Sequence, residues 1–124
     1  ILVVVIFGPI IEEYVVRRAI FGEIYEIIPG GSRSRKVLAF LVAGLVSGLI
    51  FAVAHADFTH ILIYLSMSYV FSFLYVITGR LFVPIMVHII MNGLVVLLQT
   101  VFADFLEETE QIQNQLNAVI SLFM

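Results

Sequence analysis

Val37-Leu38-Ala39-Phe40-Leu41-Val42-Ala43-Gly44-Leu45-Val46-Ser47-Gly48-Leu49-Ile50-Phe51-Ala52-Val53-Ala54 runs for 18 residues without a charge. A helix rises 1.5 Å per residue, so such a run is close to the about 20 residues that cross a bilayer core of roughly 30 Å. Two more runs of this kind follow, Phe58 to Ile77 and Leu81 to Phe102. A fourth, Ile1 to Ile11, is shorter and reads as a helix cut at its start. Of 124 residues, 62% are hydrophobic and 12% charged, with a mean hydropathy of +1.15. An ordinary soluble domain carries about 25% charged residues. The expected fold class is therefore all-α: a multi-spanning transmembrane helical bundle of about four spans, itself part of a larger protein whose remaining helices would be its neighbours.

Pro29-Gly30-Gly31-Ser32 ends the first helix, the basic stretch Ser32-Arg33-Ser34-Arg35-Lys36 leads into the second, and Thr78-Gly79-Arg80 makes a tight turn. An up-down count puts every basic residue (Arg17, Arg18, Arg33, Arg35, Lys36 and Arg80) on one side. By the positive-inside rule that side faces the cytoplasm, so the chain is expected in the cell membrane as a multi-pass protein with cytoplasmic basic loops. From Ala103 the composition turns rich in Glu and Gln and then apolar again at Leu116. Residues 1–103 thus read as the core, and 104–124 as an acidic tail or the start of a further helix. Cysteine is absent, which excludes disulfides and thiolate chemistry within these residues. No glycine-rich phosphate loop or basic-aromatic stretch points to nucleic acid. Membrane lipids are the expected surroundings.

Against this background three polar clusters stand out, because ionisable residues at membrane depth are expensive and normally face a protein interior or a water-filled cavity. In the first, Glu12-Glu13-Tyr14-Val15-Val16-Arg17, Glu13 and Arg17 have the favourable i,i+4 orientation of a helical ion pair. Glu12 points about 100° around the helix and has no basic residue at i±3 or i±4. An unpaired carboxylate in low dielectric suits a general base. An equally simple reading places both glutamates at the membrane interface, with Arg17 and Arg18 snorkelling to headgroups. The second cluster is Phe51-Ala52-Val53-Ala54-His55, with Ser47 and Gly48 a turn earlier to let helices approach closely. Glu12 lies 17 residues before Pro29 and His55 lies 19 after Lys36, so a helical hairpin brings them to similar heights. Alternatively His55 caps its helix beside Asp57 and His60. In the third, His88-Ile89-Ile90-Met91-Asn92, His88 and Asn92 stack four apart and can both donate to an oxyanion. They can also serve as interhelical hydrogen-bond glue, or His55, His88 and a glutamate can hold zinc, although HExxH is missing. Ser47, Ser66, Ser68 and Ser72 read as helix-packing residues.

In this order the motifs resemble the CAAX-protease and bacteriocin-processing membrane proteins, the CPBP or Abi family, whose pattern is EExxxR, FxxxH and HxxxN. The likeness spans Glu12 to Asn92. It implies an intramembrane endopeptidase like the type II CAAX prenyl endopeptidases, acting on a peptide or lipidated protein. Carried over, Glu12 and His55 activate water, His88 and Asn92 hold the oxyanion, and Glu13, Arg17 and Phe51 support them. The resemblance implies no metal or other cofactor, zinc being the older reading of the same motifs. Family members also include immunity proteins and membrane scaffolds, so a non-proteolytic interaction protein is the second expectation. An ion-coupled transporter fragment is the third, disfavoured because no span is broken midway by Gly or Pro.

The up-down count leaves one conflict. It puts His55 at the far end of its helix and His88 only about 10 Å from the opposite loop. One site needs either a steeply tilted third helix or a sunken turn from Asp57 to His60.

Overall fold

The computed structural model describes residues 1–123. Every regular element among them is helical. Helix α1 covers residues 3–27 in four consecutive segments, Val3–Phe7, Gly8–Glu13, Tyr14–Phe21 and Gly22–Ile27. The first and third are wound in wider π-type turns. Pro9 accounts for the first of these: it has no N–H to give the carbonyl four residues back, and the Gly8 N–H instead reaches Val3 O in an i→i−5 bond. Helices α2 (Arg33–Ala54), α3 (Ile61–Thr78) and α4 (Phe82–Phe123) are each long and apolar enough to cross a membrane. They coincide with the three long apolar runs, and Ile1 to Ile11 opens α1.

The chain divides into two compact units, Ile1–Ile90 and Met91–Met124. In the second, residues 91–123 are helical throughout, and the change of composition at Ala103 does not interrupt the helix. Glu, Gln, Leu and Ala are all good helix formers.

In the first unit, α2 and α3 form a close hairpin made by small residues. Gly44 lies directly under the Tyr69 ring, and Gly48 against Leu65 and Ser68. The Tyr69 hydroxyl donates to Leu41 O at 2.8 Å, tying the two helices together. Ala39, Ala43, Ser47 and Phe51 repeat every four residues on α2 and are all buried. Phe21 of α1 packs edge-on to Phe40 of α2 (centroids 6.0 Å apart) and to Tyr75 of α3 (6.4 Å). Polar groups join these apolar ones in the interior, where Glu13, Arg17, Ser47, Ser68, Ser72 and His88 are all buried. Leu45, Leu49, Val53, Phe73 and Ile77 face outward. That surface suits lipid, whose tails are as apolar as the side chains themselves.

Two turns position the site. After α2, Ala56 adopts a left-handed conformation with φ +51°, and the Asp57 carboxylate then accepts hydrogen bonds from the N–H groups of Thr59 (3.1 Å) and His60 (3.3 Å) and from His60 Nδ1 (2.8 Å). This Asx-type turn starts α3. The hydrogen bond from the His60 ring is the main reason that the Asp57 carboxyl is held below its ordinary value of 3.8. At the other end Gly79, with φ +63°, closes α3 by donating to Tyr75 O. A left-handed C-terminal residue of this kind is where glycine is preferred.

Candidate active site

Glu13 closes the regular turn of α1 just before the wider turns that carry Arg17. Arg17 Nε lies 3.0 Å from Glu13 Oε2, with both side chains fully buried. The approach is off the hydrogen-bond line, since neither atom has a hydrogen-bond partner among the described residues, so the pair holds by charge. Arg17 Nη1 reaches across to α3 and donates to Ser68 Oγ at 3.4 Å. The guanidinium sits 5.7 Å and 5.4 Å from the ring centroids of Phe51 and Phe71, within cation–π range. Buried Arg17 Nη2 and Ser72 Oγ have no hydrogen-bond partner among the described residues. Ser47 and Ser68, expected to pack helices, do so 3.4 Å apart, and Ser68 also anchors the arginine.

His88, two turns into α4, packs its ring on Phe71 (centroids 4.9 Å apart, planes at 28°) and is 2% exposed. Its Nδ1 lies 2.9 Å from Glu13 Oε1. A carboxylate paired with arginine only accepts, so Nδ1 carries the proton and donates. Nε2 then points at Glu12 Oε2, 3.6 Å away. Sequence reasoning assigned Glu13 to Arg17 alone and missed this second bond. The i,i+4 rule relates residues of one helix and is silent about a partner 75 residues away.

His55 is the C-cap residue just after α2, and its ring turns back along the helix so that Nδ1 lies 2.9 Å from Phe51 O. A carbonyl only accepts, so here too Nδ1 donates. Nε2 faces Glu12 Oε1 at 4.0 Å. One carboxylate thus lies between the two histidines, so both reach one site although the up-down count set them far apart. The Phe51 ring meets both imidazoles edge-on, at 4.5 Å from His55 and 6.1 Å from His88.

The structure therefore brings Glu12, His55 and His88 together, backed by Glu13, Arg17 and Phe51. Asn92 lies one turn after His88 on α4, in the second unit. Accessibility separates the cluster into two parts. Glu12 and His55 are 33% and 31% exposed, whereas Glu13, Arg17 and His88 are closed off. Both histidines offer an Nε2 to a carboxylate that itself accepts, so the groups can share a proton or a hydrogen-bonding water but do not bond directly when neutral. Among the described residues no three His, Asp or Glu side chains are grouped as a metal site requires.

Over 119 residues, 96% of its length, the chain is 42% identical to the "Membrane-embedded CAAX protease MroQ" of Staphylococcus aureus, covering 45% of that protein. Over 94 residues, 76% of its length, it is 44% identical to the "Putative membrane peptidase YdiL" of Bacillus subtilis, covering 34% of that protein. The chain thus spans less than half the length of these curated relatives. No solved structure matches it. The profile of the family described as type II CAAX prenyl endopeptidase Rce1-like matches residues 1–94, which include every one of the three motifs. A chain matched over that length, with Glu13, Arg17 and His88 buried among apolar helices, belongs to the Rce1-like type II CAAX prenyl endopeptidase family.

Proposed function

We propose that this chain forms the catalytic part of an intramembrane endopeptidase that hydrolyses a peptide bond of a membrane-associated substrate, prenylated or leader-bearing, without a metal ion. The observation that carries the proposal is the placing of the Glu12 carboxylate between the Nε2 atoms of His55 and His88, with each Nδ1 committed elsewhere. A water held by Glu12 and His55 donates one proton to the carboxylate and the other to His55 Nε2. Both groups are on the accessible side of the cluster, where a scissile carbonyl can approach. As the water oxygen attacks, Glu12 takes its proton, and it later returns that proton to the leaving amine.

In this reading the oxyanion is held by His88 and Asn92. His88 can donate from Nε2 only if the ring is an imidazolium, because its Nδ1–H is already given to Glu13. Glu13 does for His88 what an orienting carboxylate does in other acid–base sites, fixing the ring through its Nδ1–H.

The test is a processing assay in membranes, comparing the wild-type protein with Glu12→Ala. Loss of processing to background, with folded protein present, is expected. Wild-type processing by Glu12→Ala would remove Glu12 as the base, and absence of hydrolysis by either form against a panel of prenylated and leader-bearing peptides would favour a non-proteolytic interaction protein.

A further inference from the structure

His88 is held in place by burial, but His55 is not. His55 caps the end of α2, its side chain is partly exposed, and the next residue already has a left-handed backbone. Its Nδ1–H bond to Phe51 O fixes one point of the ring and leaves the ring free to swing about that point. We infer that Tyr64, which lies outside all three motifs, is a positioning residue that clamps the His55 ring and aims Nε2 at Glu12. The inference rests on the assignment of Glu12 and His55 proposed above.

The Tyr64 ring covers one side of His55, with centroids 4.7 Å apart and planes at 33°. Phe51 closes another side edge-on at 4.5 Å and 68°. Tyr64 also meets Phe51, at 5.8 Å and 84°, so the three rings form one closed set. Two ring contacts and one hydrogen bond define the imidazole plane, and with it the direction of Nε2. Tyr64 is itself anchored at both ends. Its backbone N–H donates to His60 O at 3.2 Å, and its hydroxyl donates to Asp57 Oδ2 at 3.5 Å. The 3.5 Å contact is long for an O–H···O bond, so the ring, which touches His55, matters more than the hydroxyl.

The inference is tested with the full-length protein in nanodiscs, using Tyr64→Phe, Tyr64→Leu and Glu12→Ala. For Tyr64→Leu, kcat is expected to fall about tenfold at unchanged KM, the scale of one lost aromatic contact amplified by misplacement of a reacting group. The His55 ring-proton resonances should also lose the displacement that the Tyr64 ring face imposes. Tyr64→Phe keeps the ring and is expected to stay within about threefold of wild type, with the resonances in place. If Tyr64→Leu does not fold, Tyr64→Met gives the same comparison. Wild-type kcat with unmoved resonances in the variant without the ring would overturn the inference, as would a Phe variant as deficient as the Leu one. Activity retained by Glu12→Ala would instead defeat the assignment of the base, so the two failures are separable.

Discussion

Glu12 and Glu13 are neighbours in the chain and opposites in circumstance. Glu13 is fully buried, shared between Arg17 and His88, whereas Glu12 is a third exposed and shared between His55 and His88. Removing one partner of a buried ion pair leaves the other charge uncompensated, at about 3–5 kcal/mol. Glu13→Gln is therefore expected to lower folded yield in detergent, measured by size-exclusion chromatography, at least as much as it lowers specific activity. Normal stability with abolished turnover would make Glu13 a catalytic residue instead. Asn92→Ala should behave differently again. Loss of one oxyanion donor costs on the order of 10²–10³ in turnover, so a residue of activity above the Glu12→Ala background is expected. An Asn92→Ala rate equal to wild type would take Asn92 out of the mechanism. Glu12, His55 and His88 were legible in the sequence because they stand within or at the end of apolar runs. Phe71 and Tyr64 were not, since an aromatic residue in an apolar span looks the same whether it faces lipid or an imidazole.

At the scale of elements, the α2–α3 hairpin depends on close approach. A Cβ at Gly48 would come within 2.9 Å of Leu65 and 3.0 Å of Ser68 Cβ, and Ser68 is the residue that anchors Arg17. Gly48→Val is expected to cost about 1–3 kcal/mol, the usual range for overpacking, and to reduce activity along with thermal stability. Retained Tm in Gly48→Val would show that the hairpin yields more easily than its geometry implies. The turn that follows offers the opposite change. Ala56 holds a left-handed backbone that costs an L-residue roughly 1–2 kcal/mol, and Ala56→Gly should recover part of it and raise Tm. The same turn has a pH signature. The folded carboxyl of Asp57 titrates below its ordinary value of 3.8, so its stabilising effect is complete above that value and fades as the pH falls through the lower, folded one. Protection factors of the Thr59 and His60 amides, their exchange rates relative to an unstructured chain at the same pH, should accordingly hold steady near neutral pH and fall only at pH below 3.8. The helices were read correctly as elements because run length and hydropathy decide them. The winding of α1 was not, because a proline near a helix start is usually taken as ordinary N-terminal chemistry and here opens a wider turn before it.

For the first unit as a whole, Glu13, Arg17 and His88 are buried while many large apolar side chains face outward. Which end faces the cytoplasm follows, in the sequence reading, from the basic residues alone. Single cysteines placed at Ser34 and at Thr59 test this. An impermeant thiol reagent applied to intact cells should reach Thr59→Cys and not Ser34→Cys, and the reverse pattern would invert the topology. The polar interior also bears on how the protein is made. The partners from other helices that Glu13 and Arg17 bond to come late: Ser68 is 51 residues after Arg17, and His88 is 75 after Glu13. At roughly 5–20 residues per second, α1 waits about 4–15 s on the ribosome before His88 exists to receive Glu13. During that interval Glu12 and the Glu13–Arg17 pair lack their partners from other helices, so α1 is expected to stay at the membrane surface or shelter in the insertion machinery. Nascent chains stopped before His88 should leave α1 open to protease from the cytoplasmic side, and chains extended past α4 should protect it.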